Sequence, residues 1–454
     1  MIGNELPKGW ILADFLDAVE IFDNLRKPIN SKERQRRIAG KDTKNLFPYY
    51  GATGQVGYID DFLSDGEYVL LGEDGAPFLD TTANKAYLIS GKAWVNNHAH
   101  VLRSKTSNKF LCYYLNQFNY KDYVSGTTRY KLTQEKMKRI PVLLPPLAEQ
   151  HRIVAKIEEL FLELDRGIAG LEKAKAQLKT YRQAVLNSSF MGNLTESWRS
   201  IHSEDVLDNY LAQLEYDRKL AGNKKNYVLT GDIWLDPLPE NWKWVCIGDI
   251  SSGVEYGSSK KSETSGRIPV LRMGNIQSYY FDWTDLVFSS DEDEIKKYAL
   301  SKDDVLFNRT NSPELVGKTA LYNGEYPAIF AGYLIRLNQL KSINAKYLNY
   351  YLNSPIARKY GNKVKTDGVN QSNINGNKLC HYPFPLCSEL EQNEVVSEIE
   401  FRFSLCDSLE KTIDSSLKNA ETLRLSILKK AFAGELLKQD PAETSSPTLS
   451  KENT

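Results

Sequence analysis

The chain of 454 residues is poor in the features that mark several large protein classes. It has five cysteines (Cys112, Cys246, Cys380, Cys387, Cys406), an odd and scattered set with no Cys-x-x-Cys pair, which excludes a disulfide framework. No window holds the ~18 consecutive apolar residues of a membrane helix. The opening MIGNELPKGWILADF has no basic stretch followed by an apolar core, so no signal peptide is expected. These absences point to a cytoplasmic protein without membrane contact.

Signatures of chemistry are missing as well. Val316-Gly-Lys-Thr319 imitates the end of a phosphate-binding loop, but the glycine required five residues before Gly317 is Ser312. Gly51-Ala-Thr-Gly54-Gln-Val-Gly57 has the wrong spacing for a dinucleotide fingerprint. His98-Ala-His100 and Cys380-His381 lack further ligands at metal spacing. No Asn/Asp-Pro-Pro-aromatic tetrapeptide of an amino-methyltransferase is present, since Asn45-Leu-Phe-Pro48-Tyr has no paired prolines. The expectation is a non-catalytic chain with no cofactor or metal of its own.

What is present is a duplication. Leu6-Pro-Lys-Gly-Trp10 recurs as Leu238-Pro-Glu-Asn-Trp242, and Tyr113-Tyr-Leu-Asn116 as Tyr350-Tyr-Leu-Asn353. Glu149-Gln150 recurs as Glu391-Gln392, and at that offset of 242 a gapless match runs on through Phe161/Phe403, Asp165/Asp407, Arg182/Arg424 and Phe190/Phe432 to Gly192/Gly434. A unit this long is a duplicated domain rather than a solenoid repeat.

Each copy begins with a stretch rich in Gly, Tyr, Asn and β-branched runs such as Tyr68-Val-Leu-Leu71 and Asp304-Val-Leu-Phe307, which reads as short strands, loops and some helix. Each ends in one long helical run. Ile153, Ile157, Leu160, Leu164, Leu171, Leu178, Tyr181 and Val185 fall at the spacings of a coiled-coil seam, as do Val395, Ile399, Cys406, Leu409, Ile413, Ala420, Leu423 and Ile427. Leu160, Leu164, Leu171, Leu178, Ile399, Leu409, Ile413 and Leu423 are the candidate packing residues of the helix pair. The expected fold is α+β: two α/β domains (1–147 and 237–387), each followed by a long helix (148–192 and 388–438). The two helices would pack as an antiparallel coiled coil with pseudo-two-fold symmetry. Residues 193–236 read as a linker with a short helix around Leu207, Leu211 and Leu214, and 439–454 as a disordered tail.

Net charge is zero, but its distribution is uneven. Lys+Arg against Asp+Glu is 20 to 16 in residues 1–145, 18 to 15 in 238–387 and 8 to 13 in 388–454. Two mildly basic domains permit nucleic-acid contact. Their loops supply the residue types that read bases: Arg pairs with guanine, Asn and Gln with adenine, while Lys and Thr hold phosphates. The candidates are Tyr49, Tyr50, Thr53, Asn96, Asn97, His98, Arg129, Tyr130 and Lys131 in the first domain. In the second they are Arg272, Asn275, Gln277, Asn308, Arg309, Asn311, Lys318, Asn370, Gln371 and Asn373. Asn, Gly and Ser also dominate turns, so each has a purely structural alternative. Arg272 in particular can read a base or pair with Asp282 or Asp285.

These pieces together resemble the specificity (S) subunits of type I restriction–modification enzymes. The resemblance rests on the two Leu-Pro-x-x-Trp openings, the blocks Tyr49-Tyr-Gly-Ala-Thr-Gly54 and Val270-Leu-Arg-Met-Gly-Asn-Ile-Gln277, the stretch Asp304 to Thr319, Glu-Gln at the start of each helix and Phe-x-Gly at its end. The Arg-x-x-Asn block of the second half has no counterpart in the first. The resemblance implies two target-recognition domains on duplex DNA and a bipartite, asymmetric site. It also implies two methyltransferase (M) subunits carrying S-adenosylmethionine, and restriction (R) subunits using ATP and Mg. The other readings are a recognition module of another DNA-methylating phage-defence system and a coiled-coil scaffold without DNA function.

Overall fold

The computed structural model describes residues 6–202, 207–229 and 235–440. The chain divides into two compact units, Met1–Lys173 with Ile413–Thr454, and Ala174–Thr412. The division falls inside both long helices, so each unit holds one α/β domain, half of one helix and half of the other. The domain boundaries read from the sequence set the helices apart as separate segments. They differ because each half-helix shares a hydrophobic core with an α/β domain.

In the first unit an antiparallel sheet has the order Val19–Ile21, Ala99–Ser104, Tyr68–Gly72, Ala86–Ile89. Tyr68–Gly72 is buried along its whole length, which fits its apolar run at the centre of a sheet. A second sheet has the order Gly54–Ile59, Phe47–Gly51, Lys92–Val95, Ser64–Asp65, with Phe47–Gly51 parallel to Lys92–Val95.

The second unit repeats this plan. Its antiparallel sheet has the order Ser251–Tyr256, Leu334–Gln339, Val305–Asn308, Thr319–Leu321. Ile268–Leu271 lies parallel to Ile329–Phe330, as the corresponding strands do in the first unit. The segment between the copies, read as a linker with a short helix around Leu207, Leu211 and Leu214, contains that helix. It forms helices Glu196–Ile201 and Leu207–Leu220, and the second buries Leu207 and Leu214 in this unit's core. Tyr210 fastens it further, donating its hydroxyl to the Ser342 carbonyl at 2.7 Å. The tail beyond Asp440 and residues 203–206 and 230–234 lie outside the described residues.

The long helices run Leu147–Phe190 and Glu389–Phe432, 44 residues each. Both end alike. Gly192 and Gly434 adopt φ of +74° and +73°. The N–H of Asn193 reaches the Ser188 carbonyl and that of Glu435 the Lys430 carbonyl, the six-to-one bond of a Schellman cap. The repeated motifs meet at these ends. A Cβ on Gly192 would lie 2.5 Å from the Pro239 ring, and one on Gly434 2.4 Å from the Pro7 ring. Phe190 packs edge-on against Tyr347 and Tyr351, and Phe432 against Phe110 and Tyr114. Phe-x-Gly and Leu-Pro-x-x-Trp are therefore two sides of one joint, made once in each unit.

Within each unit the two half-helices pack antiparallel. In the first, Ile153 and Ile157 share a core with Ile427 and Ala431, with Leu160 packed against it. In the second, Val185 and Leu186 share one with Val395, Val396, Ile399 and Phe403. Ile413 and Ala420 are buried, while Leu164, Leu171 and Leu178 are half-buried. Two candidates fail. Leu409 is 53% and Leu423 49% exposed. The seam steps from Cys406 through Glu410 to Ile413, and from Ala420 through Arg424 to Ile427, so its alternation of threes and fours is the reverse of the expected one at both places. Arg182 and Arg424 occupy equivalent seam positions. Arg182 bonds Asp407 at 2.7 Å and Glu410 at 3.0 Å and covers the Phe403 ring; Arg424 bonds Asp165 and covers Phe161.

Candidate nucleic-acid interface

In the first unit, several sequence candidates line one open cleft of about 730 Å³. It is bounded by Gly51 and Val56 of the Phe47–Ile59 hairpin, by Asn96 and His98, and by Thr128, Arg129 and Tyr130. Asp74 sits on its wall, 2.8 Å from Arg129 Nε and 3.6 Å from His98 Nδ1. Arg129, Lys131, Asn97 and Thr53 are exposed, and Thr53 stands in the turn of the hairpin. Such a cleft offers donors, acceptors and cation charge side by side, the mixture a base edge and its phosphate require.

Two candidates there are structural. Tyr49 is 2% exposed and donates its hydroxyl to the Ile29 carbonyl. It belongs to a small core with Ile59 and Trp94, because alternation along the strand turns it inward and the following Tyr50 to the other face. Asn96 is buried and its Oδ1 caps the His98 N–H at 2.8 Å, fixing the loop that carries Asn97 and His98. Tyr50 is half-buried against Tyr87.

Beneath the cleft lies a buried polar cluster. His100 is fully buried, with Nδ1 2.8 Å from Asp23 Oδ2 and Nε2 3.0 Å from the Leu132 carbonyl. Arg26 bonds Asp23 at 3.0 Å and Glu73. Burial alone would raise the Asp23 carboxyl, but His100, Gln134 and the Val101 N–H outweigh it and hold it below its usual range. His98-x-His100 is thus one half-exposed and one core histidine, and among the described residues no cluster of three or more metal-type ligands forms.

In the second unit the expected reading strand is mostly internal framework. Asn275 is 3% exposed, accepts the Arg272 N–H and donates to the carbonyls of Asp282 and Thr284. Arg272 holds the Asp285 carbonyl at 2.8 Å and its carboxylate at 3.2 Å, the structural alternative foreseen for it. Gln277 is exposed. Asn308 is fully buried, and Arg309 stacks its guanidinium over Tyr256, 4.8 Å from the ring centre. Asn311 Oδ1 caps the Ser312 N–H at 2.8 Å. The β-hairpin Thr366 to Asn373 carries exposed Asn370 and Gln371, and Asn373, half-buried, pairs with Thr310. Lys318 is half-buried, and burial, then the cations Arg358 and Lys179, lower its amine.

The two units also share backbone equivalences outside the repeated motifs. Gly126 to Leu132 and Gly368 to Ile374 stand at the same offset of 242. Leu132 N–H bonds the Glu73 carbonyl at 2.8 Å as Ile374 N–H bonds that of Arg309 at 2.9 Å. Lys85 matches Lys318, since Gly72 N–H bonds the Lys85 carbonyl at 2.9 Å and Asn308 N–H that of Lys318 at 2.8 Å. The hairpin match is legible in the sequence at the helix offset of 242, whereas the lysines correspond only through strand pairing. The candidate set also omits the most basic stretch of the chain, residues 26–44, with eight Lys/Arg and two Asp/Glu. Charge summed over a whole domain diluted it.

Two copies of one α/β fold, each with an exposed polar face and each jointed to a long helix, define a duplicated binding scaffold. The type I restriction modification DNA specificity domain matches residues 17–173 and 239–419, and the chain belongs to this family. It is 31% identical over 309 residues to the type I restriction enzyme EcoKI specificity subunit of Escherichia coli (strain K12), covering 67% of this chain. That match spans 59% of the EcoKI subunit's own length. With the Escherichia coli EcoDI specificity subunit it shares 24% over 422 residues, 88% of this chain and 85% of the relative. The fold is that of a chain in a solved type I R-M system (TM-score 0.60, 18% identity, 96% of this chain and 100% of that one). It also matches the HsdS subunit from Thermoanaerobacter tengcongensis (TM-score 0.51, 18% identity, 95% and 99%). Among the described residues no helix is long and apolar enough to cross a membrane.

Proposed function

We propose that the chain is the DNA-reading subunit of a type I restriction–modification complex, that each unit reads one half of a bipartite, asymmetric site, and that the chain itself performs no catalysis. The observation that carries this reading is the duplication with divergence: two domains of one topology present different side chains on equivalent loops. Thr127-Thr128-Arg129 on one hairpin corresponds to Val369-Asn370-Gln371 on the other. Two different readers joined by one chain suit two different half-sites. A helix of 44 residues is about 66 Å long, on the order of two turns of duplex DNA.

Two methyltransferase subunits would bind this scaffold and supply the reaction, transferring a methyl group from S-adenosylmethionine to adenine. Restriction subunits with ATP and Mg would complete the assembly. This chain's share is to hold the duplex in register. The test is to map methylated adenines in cells expressing the chain with its methyltransferase partner. A single split motif, lost when the chain is deleted, is expected. Methylation unchanged by the deletion, or methyl transfer by the isolated chain, refutes the proposal.

A further inference from the structure

Residues 26–44 connect the first strand of the antiparallel sheet to the hairpin that borders the cleft. Their eight cations do two different jobs. Arg26 is tied to Asp23 and Glu73. Arg37 and Lys41 share Asp60, each at 2.6 Å, which pins helix Ser31–Ile38 to the end of the Gly54–Ile59 strand. Arg34 lies over the Tyr49 ring at 4.8 Å and against the backbone of Gly57. Arg36 makes an exposed pair with Glu33. Lys27, Lys32 and Lys44 are exposed and have no carboxylate partner among the described residues. Beside them the Gly54–Ile59 strand exposes Val56 and Tyr58. The segment is a basic arm, held rigid by one set of cations and leaving another set free.

The equivalent connection in the second unit, residues 257–267, is built differently. It is short, and its Lys260 pairs with Asp291 at 2.7 Å and its Arg267 with Glu292 at 2.9 Å. Of its three cations only Lys261 is exposed without a carboxylate partner among the described residues, against three such lysines in the arm of the first unit.

We infer that the arm 26–44 is a clamp for the phosphate backbone of duplex DNA, so that the first unit supplies more of the sequence-independent grip than the second. The inference rests on the DNA-reading function proposed above and assigns this surface a role in affinity, not in base choice. Lysine ammonium groups on a rigid frame can follow phosphates without reading sequence. Each phosphate they neutralise releases counterions, so the dependence of binding on salt counts them.

The experiment compares the full chain with its Lys32→Gln/Lys44→Gln variant on duplexes carrying the mapped site and on duplexes of unrelated sequence. Both side chains are exposed and unpaired, so melting should be unchanged. The slope of log affinity against log salt should fall in magnitude by about 1.8, ~0.9 per lost contact, equally on both DNAs. Lys260→Gln/Lys261→Gln should move it far less. An unchanged slope overturns the clamp, as does a loss confined to one half-site, which would make the lysines base readers. A loss of methyltransferase binding with DNA affinity intact also overturns it, assigning the arm to a protein partner. Wild-type chain with no affinity for any duplex would instead refute the function on which the inference rests.

Discussion

The joint between helix end and domain opening can be tested at a single atom. In Gly434→Ala the new Cβ must adopt a left-handed backbone at φ +73° and stand 2.4 Å from Pro7. The first effect costs roughly 1–2 kcal/mol for an L residue. The second is overpacking against a rigid ring, about 1–3 kcal/mol. Together they give about 2–5 kcal/mol, a fall of roughly 5–15 °C in the melting of the first unit. Gly91 is the internal control: its φ is +74° but nothing lies within 4 Å of its Cβ position. Gly91→Ala should therefore show the conformational cost alone. Thermal and urea unfolding of both variants separates the two effects. If Gly434→Ala is no more destabilising than Gly91→Ala, Pro7 gives way freely and the contact is not a lock. Gly192→Ala, whose Cβ meets Pro239, should produce the same loss in the second unit and leave the first unchanged.

The corrected seam predicts that Ile413→Ala costs about 2–5 kcal/mol by leaving a cavity, whereas Leu409→Ala, half exposed and one position before the seam residue Glu410, costs less than about 1 kcal/mol; equal losses in urea unfolding would restore the rejected register. Asn275→Ala should lower the melting temperature and weaken binding to every DNA sequence alike, because it strands two carbonyls and the Arg272 N–H, while Gln277→Ala should leave melting unchanged; a selective change of half-site preference by Asn275→Ala would show it to be a reader. Glu391→Leu removes the acceptor shared by Thr195, Arg199 and Trp242 Nε1 and leaves Arg199 without its carboxylate, a loss of about 3–5 kcal/mol by denaturant unfolding; wild-type stability would refute the role of this knot. Asp23 has a folded pKa below its ordinary 3.8, so its stabilising contribution is fully present above that value and is lost as pH falls through the lower folded value. The stability gap between wild type and Asp23→Asn should therefore narrow below about pH 3.8, and a gap constant from pH 7 to pH 2 would refute the linkage.

Legibility followed the kind of signal. The duplication and the long helices were plain, because gapless identity and a sustained heptad are global patterns that few alternatives imitate. The seam register was harder. Cys406, Leu409 and Ile413 offer a three-then-four spacing with an apolar residue at each step, and the pattern alone prefers Leu409 to Glu410. The structure takes Glu410 because Arg182 reaches it across the helix pair together with Asp407. A seam that admits charge is unreadable from hydrophobicity. The same limit applies to the binding loops. Asn96, Asn275 and Asn308 have the side chains of base readers but are buried, and Asn96 and Asn275 are spent on loop backbone, for which asparagine is equally suited.

The duplication itself sorts the remaining candidates. Two copies that began alike retain what both need and diverge where their tasks differ. The retained parts are the Schellman glycines, the Glu-Gln pair, the arginines of the seam and the backbone bonds that seat the hairpins. Gln150 Nε2 still bonds the Pro145 carbonyl at 2.9 Å as Gln392 Nε2 bonds that of Cys387 at 3.1 Å. The glycines and the Glu-Gln pair hold a domain to its helix, the arginines join the two helices, and the backbone bonds seat the hairpins, tasks common to both halves. Divergence includes Thr127–Arg129 against Val369–Gln371, the Arg272-x-x-Asn275 block that has no counterpart in the first half, and the connection that is a basic arm in one unit and a short, largely charge-paired loop in the other. The hairpin tips are exposed and stand on equivalent frames, and apart from the Arg129–Asp74 ion pair at 2.8 Å their differences are free of the packing constraints that explain Asn275 or Asn308. On the DNA-reading function proposed above, their chemistry would follow what each half contacts, which makes Arg129 and Gln371 the polar candidates to test first for a difference between half-sites.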